Sequence, residues 1–179
     1  MNTRTISVFG SSAPQAGSAA YEEARLVGKL LAEAGLAVAT GGYSGTMTAV
    51  SQGADEADGH VIGVTSEQIE QFRPLGPNQW VKEEIRYATL RDRLLHLVTE
   101  NDGMIVLPGG IGTLSEMSLA WSFLQTGEMG KRPFVLLGSI WQETVAAFND
   151  PQYIREQHMA LLHFAKSPET AVAYIKNHV

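Results

Sequence analysis

The chain has 179 residues, no cysteine and a formal net charge of −6, from 13 Lys and Arg against 19 Asp and Glu. This length suits one domain that buries a core of its own. The lack of cysteine excludes disulfide frameworks, thiolate metal sites, iron–sulfur ligation and cysteine nucleophiles. The acidic balance argues against a protein that coats nucleic acid, which needs a basic face, but it permits a small basic pocket for a nucleotide.

The lengths of the apolar runs and the N-terminal residues indicate in which compartment of the cell the protein is expected. The longest apolar runs, such as 104–107 and 134–138, are far too short to span a bilayer. Residues 1–5 lead directly into a strand-like segment and lack the pattern of a signal peptide. We therefore expect a cytoplasmic protein with no membrane partner.

The first half of the chain alternates short apolar segments with helical patterns. Strands are predicted at 5–9, 36–40 and 60–65, and helices at 19–34 and 46–58. Ser18 can cap the first helix, and Gly35 ends it. Residues 66–80 contain Arg73-Pro74 and Gly76-Pro77, so they form the longest predicted loop.

The second half repeats the alternation. Helices are predicted at 81–100, 113–125, 141–148, 151–158 and from Pro168 onward, and strands at 104–107, 133–137 and 161–165. Short apolar strands that alternate with helices indicate right-handed βαβ units and a parallel sheet. The predicted fold is therefore a Rossmann-like, doubly wound, three-layer α/β/α domain, in which ligands bind beyond the carboxyl ends of the strands.

Three glycine-bearing turns follow predicted strands, at residues 10–12, 41–46 and 108–113. In the third turn, Gly109, Gly110 and Gly112 allow backbone N–H groups to approach an anion, and the helix that follows adds its positive dipole end. Thr113 can cap that helix or donate its hydroxyl to a phosphate. The spacing matches neither GxGxxG nor a P-loop, so a tight turn without a ligand is the alternative. The turn at 41–46 follows the same logic with a weaker signal.

Glu116 lies early in the helix that Thr113 is predicted to open. A helix N-terminus favours the charged carboxylate, so we expect Glu116 to be ionised at neutral pH and to act as a general base or cation stabiliser. The alternative is a structural role, because Thr113-x-x-Glu116 also matches a capping box.

Three arginines, Arg86, Arg91 and Arg93, fall within eight residues of the predicted 81–100 helix. Arginine suits bidentate recognition of phosphate, so these side chains could supply the basic pocket; a solvated helix face with ion pairs is the alternative. The five histidines show no metal-ligand spacing. We therefore predict no metal site.

Four segments occur in an order that resembles the Lonely Guy (LOG) family, whose members are often labelled possible lysine decarboxylases. The segments are Val8–Ser12, Gly41–Met47, His60–Val64 and Pro108–Glu116, the last of which contains the specific string PGGxGTxxE. The resemblance covers residues 5–140 and implies that residues 1–179 form a single LOG-like Rossmann domain. It also implies a homodimer that hydrolyses the N-glycosidic bond of a nucleoside 5′-monophosphate, either a cytokinin riboside monophosphate or AMP, to free base and ribose 5-phosphate without a cofactor.

The resemblance also assigns roles to individual positions. It implies that Glu116 and Arg93 are catalytic. The implied phosphate-binding residues are Gly109, Gly110, Ile111, Gly112 and Thr113. The implied ribose and base contacts are Gly10, Ser11, Gly41, Gly42, Gly45 and Thr46. The sequence departs from the family pattern at Leu94, where the family has lysine, and at Ser115, where it has a second glutamate.

Two other functions are weighed against the hydrolase. A non-catalytic carrier of a nucleotide or of molybdenum cofactor could use the same loops, since a related branch of the fold does so. Lysine decarboxylation normally needs a lysine bound to pyridoxal phosphate, and none of the five lysines lies in a glycine turn. For the homodimer, the predicted helices at 81–100 and 113–126 are the candidate interface, with Trp121 and Phe123 either there or in the core.

Overall fold

The computed structural model describes residues 3–179 and places seven strands in one sheet. The strands are β1 (Thr5–Phe9), β2 (Ala37–Thr40), β3 (Val61–Ser66), β4 (Glu83–Tyr87), β5 (Gly103–Val106), β6 (Phe134–Leu137) and β7 (His163–Ala165). The helices are α1 (Ala19–Glu33), α2 (Thr46–Glu56), α3 (Glu67–Phe72), α4 (Leu90–Thr99), α5 (Ile111–Thr126), α6 (Ser139–Phe148), α7 (Glu156–Met159) and α8 (Pro168–His178). The strand order is β4-β3-β2-β1-β5-β6-β7, and every pairing is parallel.

Helices cover both faces of the sheet, so the core has two halves. On one face, Val27 and Leu31 of α1 pack with Ile175 of α8 and with α2. On the other face, Met117 of α5 packs with α4 and α6. Strands buried on both faces explain the continuous apolar runs in the sequence. The predicted Rossmann-like three-layer architecture is confirmed.

The prediction of one helix over 81–100 is wrong. The chain first forms β4, one of the two edge strands of the sheet, and then starts α4 at Leu90, where Thr89 caps the helix by accepting a hydrogen bond from Asp92 N–H. The sequence of β4 is EEIRY, and its charged side chains are exposed. Charged edge strands discourage pairing with other chains, but they look like a polar helix in a sequence pattern.

Smaller differences concern the loops. The predicted loop at 66–80 contains the short helix α3, which Ser66 caps by accepting from Ile69 N–H. The helix predicted at 151–158 is confined to α7 and begins at Glu156. None of the helices within residues 3–179 combines the length and apolar composition that a membrane crossing needs.

The order of the strands reverses between β1 and β5. From β1 the chain adds β2, β3 and β4 on one side, and it then crosses over to add β5, β6 and β7 on the other. Helical connections that leave in opposite directions open a crevice at the carboxyl ends of these two central strands. This topology places the turns after β1 and β5 side by side.

Candidate functional site

A cavity of about 370 Å³ lies at this crevice. It is lined by Gly10, Ser11, Ser12, Tyr43, Ser44, Met47, Ile69, Arg73, Leu75, Leu90, Arg93, Gly110, Ile111, Gly112, Thr113 and Glu116. All three glycine-bearing turns therefore contribute to one cavity. No lysine is among these lining residues, which leaves no Schiff-base partner for pyridoxal phosphate in the cavity.

The turn between β5 and α5 presents an open helix end to the cavity. Gly110 is the N-cap residue and makes no side-chain cap, and the first backbone bond of the helix runs from Leu114 N–H to the carbonyl of Gly110. Within residues 3–179, the N–H groups of Ile111, Gly112 and Thr113 find no acceptor. Unpaired N–H groups at a helix start form a site for an anion.

The beginning of α5 corrects one sequence-based alternative. The helix begins at Ile111, two residues before Thr113, so the Thr113–Glu116 capping box does not form. Thr113 is nevertheless buried, and its hydroxyl forms no hydrogen bond with another described residue. Gly109 lies behind the turn, where an added Cβ would overlap the Thr113 side chain, and it does not line the cavity.

The turn between β2 and α2 has the opposite arrangement. The carbonyl of Ser11 accepts hydrogen bonds from Thr46 N–H at 2.8 Å and from its hydroxyl at 3.0 Å. Gly45 adopts φ +69°, and a Cβ there would overlap the Ser11 carbonyl; a Cβ on Gly10 would overlap Thr46. The β1–α1 loop thus occupies the N-terminus of α2.

The six predicted ribose and base contacts fall into two groups. Gly10 and Ser11 line the cavity, whereas Gly41, Gly42, Gly45 and Thr46 do not. Gly41 instead leaves room for a guanidinium, because a Cβ on it would overlap that of Arg93.

Arg93 is buried at the back of the cavity with 6% of its surface exposed. Its Nε donates to the carbonyl of Val64 at 2.7 Å, and its guanidinium carbon lies 5.7 Å from the centre of the Tyr43 ring. Burial lowers the pKa of the guanidinium, and the charge of Glu116 and the Tyr43 hydroxyl oppose that shift. Arg93 is thus a fixed cation with its position set by the end of β3.

Glu116 lies one turn below the open end of α5. Burial raises the pKa of its carboxyl to about 7, and the positive charge of Arg93 partly offsets the rise. The two side chains do not form an ion pair within 4.0 Å. Glu116 is therefore only about half ionised at neutral pH, and not fully ionised as its place near a helix terminus led us to expect. Glu116 is the sixth residue of the helix, beyond the reach of the free N–H groups, so burial dominates its pKa.

The other two predicted pocket arginines lie outside the cavity. Arg86 is on β4 and pairs with Glu70 at 2.6 Å and, at longer range, with Glu67 and Glu84. Arg91 is exposed and pairs with Asp92 at 3.2 Å. Of the three, only Arg93 faces the site.

The lining residues that sequence analysis did not single out come mainly from two segments. Ser12, Tyr43 and Ser44 lie within the predicted turns at 10–12 and 41–46 without having been named individually, and Met47 follows the second turn. Ile69, Arg73 and Leu75 come from α3 and the loop after it. Leu90, at the start of α4, completes the set. An arginine inside the longest loop of an acidic chain was the one available signal. Among the described residues, no three acidic or histidine side chains cluster in a way that could hold a metal ion.

Known proteins resemble this chain in sequence. A family model described as "possible lysine decarboxylase" matches residues 47–175. The cytokinin riboside 5′-monophosphate phosphoribohydrolase LOG of Oryza sativa is 33% identical over 150 residues, which cover 83% of this chain and 58% of the rice protein. The phosphoribohydrolase of the same name from Mycobacterium tuberculosis is 33% identical over 102 residues, 52% of this chain and 54% of its own length. The chain thus spans about half the length of these curated relatives.

A solved structure resembles the whole chain. The molybdenum cofactor binding protein from Rippkaea orientalis is 28% identical, with a TM-score of 0.77 over 99% of this chain and 98% of its own. The similarity covers nearly the whole of both chains, so it confirms the fold. With the family match over most of the sequence, the chain belongs to the LOG family, whose family model carries the description "possible lysine decarboxylase".

Proposed function

We propose that the protein is a phosphoribohydrolase that cleaves the N-glycosidic bond of nucleoside 5′-monophosphates, with cytokinin riboside monophosphates or AMP as substrates. The observation that carries this proposal is the open N-terminus of α5 in the same cavity as Arg93 and Glu116. The free N–H groups suit the 5′-phosphate, and a carboxylate one turn away suits the positive charge that develops on the ribose. The names of the rice and mycobacterial relatives support the same activity.

In the proposed mechanism, Gly110, Ile111, Gly112 and Thr113 hold the phosphate and so position the ribose. The bond between ribose and base breaks with its electron pair on the base, leaving an oxocarbenium-like ribosyl cation. Ionised Glu116 stabilises this cation and accepts a proton from the attacking water, whose oxygen bonds to the ribose. The departing base takes up a proton from solvent.

Arg93 has a positioning role in this proposal. Its charge opposes the effect of burial on Glu116, so it increases the ionised fraction of the carboxyl near neutral pH. Ser11, Tyr43 and Met47, which also line the cavity, are then available for the ribose and base. The buried guanidinium of Arg93 is held in place because its Nε donates to the Val64 carbonyl and because it packs closely against Gly41.

A base-release assay tests the proposal. The purified protein is incubated with AMP, other nucleoside monophosphates and isopentenyladenosine monophosphate, and the products are separated by chromatography. We expect release of free base, lowered at least about 100-fold in Glu116→Gln, since that amide cannot stabilise the cation. Glu143→Gln on the exposed side of α6 is the matched control. Turnover by Glu116→Gln near that of the unmodified protein would refute the role of Glu116.

A carrier function is the second candidate, because the Rippkaea protein with the same fold is named as a molybdenum cofactor binding protein. The same loops would then hold a phosphorylated ligand without cleaving it. A thermal-shift response to nucleotides or pterin phosphates without base release from any of them would favour the carrier.

We also propose that the protein forms a homodimer through the outer face of α5. Ser115, Ser118 and Ser122 are exposed there, and Ser115 and Ser118 donate their hydroxyls to backbone carbonyls of their own helix. Glu116, which faces the cavity, is the one charged residue of this helix. An uncharged exposed face with small side chains suits close packing against a second copy.

Light scattering after gel filtration tests the dimer. We expect the unmodified protein to have the mass of two chains and Ser118→Arg to have that of one, because the new charge would be buried in the contact. Gln142→Arg on the exposed side of α6 is the control and should stay dimeric. A dimeric Ser118→Arg would move the interface away from α5.

A further inference from the structure

Arg73 is a cation in the cavity that the proposed mechanism does not use. It follows α3, it is exposed, and its Nη1 lies 3.4 Å from the hydroxyl of Ser12. Its guanidinium carbon lies 5.9 Å from the centre of the Phe72 ring. In the part of the chain that the structure describes, no carboxylate lies within 4.0 Å of it. Arg73 therefore presents an uncompensated charge and free donors.

The segment that carries Arg73 is held firmly at its start. The Tyr43 hydroxyl donates to the carbonyl of Ser66 at 3.2 Å and accepts from the Ser66 N–H at 2.8 Å. One turn later, Glu70 pairs with Arg86 at 2.6 Å. The backbone N–H of Arg73 then closes the helix on the carbonyl of Ile69 at 2.7 Å. These contacts place the Arg73 backbone in advance, so little ordering is needed when its side chain binds an anion.

The charges in the cavity leave this arginine without a partner. Arg93 shares the inner end with Glu116, and the open N-terminus of α5 suits one phosphate. Arg73 is exposed, directly after α3, and lies beside the hydroxyl of Ser12. A guanidinium with a neighbouring hydroxyl is a common partner for phosphoryl oxygens, and it binds them in a bidentate manner.

We propose that Arg73 and Ser12 form a second phosphoryl subsite, so that the cavity binds nucleoside 5′-diphosphates more tightly than monophosphates. The first phosphoryl group would lie at the start of α5 and the second at Arg73. This inference rests on the proposed nucleotide site, and it extends the ligand class of that site from one phosphoryl group to two. A diphosphate would then compete with the monophosphate substrate.

Calorimetric titration with AMP and ADP tests the subsite. The titrations use the Glu116→Gln variant, which removes turnover and leaves the phosphate contacts in place. We expect ADP to bind about tenfold more tightly than AMP, in line with charge-assisted hydrogen bonds from one guanidinium. Adding Arg73→Gln should bring ADP to within about twofold of AMP while AMP affinity changes by less than about twofold. Adding Arg155→Gln, an exposed arginine outside the cavity, should keep the tenfold preference.

Three outcomes would overturn the subsite. ADP could bind no more tightly than AMP, neither nucleotide could bind, or Arg73→Gln could weaken both equally, which would place Arg73 on the first phosphate. Failure of the proposed hydrolase is a separate result: no base would be released from monophosphates by the unmodified protein, while the preference for ADP and its dependence on Arg73 remained.

Discussion

The turns before α2 and α5 look alike in sequence, but another segment of the protein bonds to the start of α2 and none bonds to the start of α5 among the described residues. Each follows a buried strand, contains several glycines and precedes a helix with a buried threonine in its first turn, at the first position of α2 and the third of α5. Before α2, the Ser11 carbonyl binds both the N–H and the hydroxyl of Thr46. In the first turn of α5, the N–H and hydroxyl of Thr113 find no partner among the described residues, and Thr113 lines the cavity.

The difference comes from what lies in front of each helix. The loop after β1 crosses the N-terminus of α2, and its Ser11 carbonyl accepts a hydrogen bond from the first N–H of that helix, Thr46 N–H. At α5 no segment of residues 3–179 does the same, so the helix keeps its capacity for an anion. The start of a helix after a glycine-rich turn is therefore open to an anion where no other segment of the protein lies across it.

A new negative charge at the open turn should have the largest effect. Gly112→Asp places a carboxylate beside the free N–H groups, where it competes with the substrate phosphate. We expect kcat/KM for base release to fall about 100-fold or more, with unfolding stability changed by less than about 1 kcal/mol. The same change at Gly130, which lies outside the cavity and has open space around it, is the control. Equal losses in both variants would argue against an anion site at α5.

A substitution in the turn before α2 should instead lower the free energy of unfolding. Gly45→Ala requires an L-residue at φ +69° and an overlap with the Ser11 carbonyl, whereas a Cβ on Gly112 meets no atom within 4 Å. We expect urea denaturation to show a loss of about 2–4 kcal/mol for Gly45→Ala and no loss for Gly112→Ala. A well-folded Gly45→Ala variant of unchanged stability would contradict the close contact between the two loops.

Substitution of Thr46 and of Thr113 by valine should have smaller effects, on the free energy of unfolding and on KM respectively. Thr46→Val removes a hydrogen bond to the Ser11 carbonyl and should cost about 1 kcal/mol of unfolding free energy. Thr113→Val removes no hydrogen bond within the described chain, so its stability should hold while KM for the monophosphate rises about fivefold. Measuring both quantities for both variants separates internal capping from ligand binding. A KM effect at Thr46 equal to that at Thr113 would remove the distinction.

The Glu116 carboxyl, one turn into α5, should affect stability through pH, and more weakly than Gly45→Ala does. Because burial raises the folded-state pKa of Glu116 to about 7, the protonated form favours folding at low pH. This contribution is complete below the unfolded pKa near 4.5 and is lost as pH rises through about 7. Relative to Glu116→Gln, the protein should lose about 1–2 kcal/mol between pH 4.5 and pH 8, allowing for solvent screening of a half-buried group. Parallel stability curves for the two proteins would contradict the shifted pKa.

Much of the fold was predictable because it depends on local patterns. The runs that became β1, β5 and β6 are short, apolar and followed by glycine or proline, and parallel sheets require such strands. The charged edge strand β4 was not predictable in this way, since three of its five side chains are charged and exposed and its pattern suits a helix. Trp121 was left between core and interface; it is in the core, where its indole N–H donates to the carbonyl of His158.

The sequence alone determined the alternation of strands and helices, the three glycine turns and the family resemblance carried by Pro108–Glu116, because these features lie in contiguous residues. Only the tertiary structure decided at which turn the N–H groups face the cavity and that burial raises the pKa of Glu116 to about 7. It also decided that Arg93 lines the cavity while Arg86 forms ion pairs with α3. Those properties depend on groups that are distant in the chain, such as Ser11 before Thr46. Hydrogen bonding, burial and charge act through space, so a pattern of neighbouring residues does not encode them.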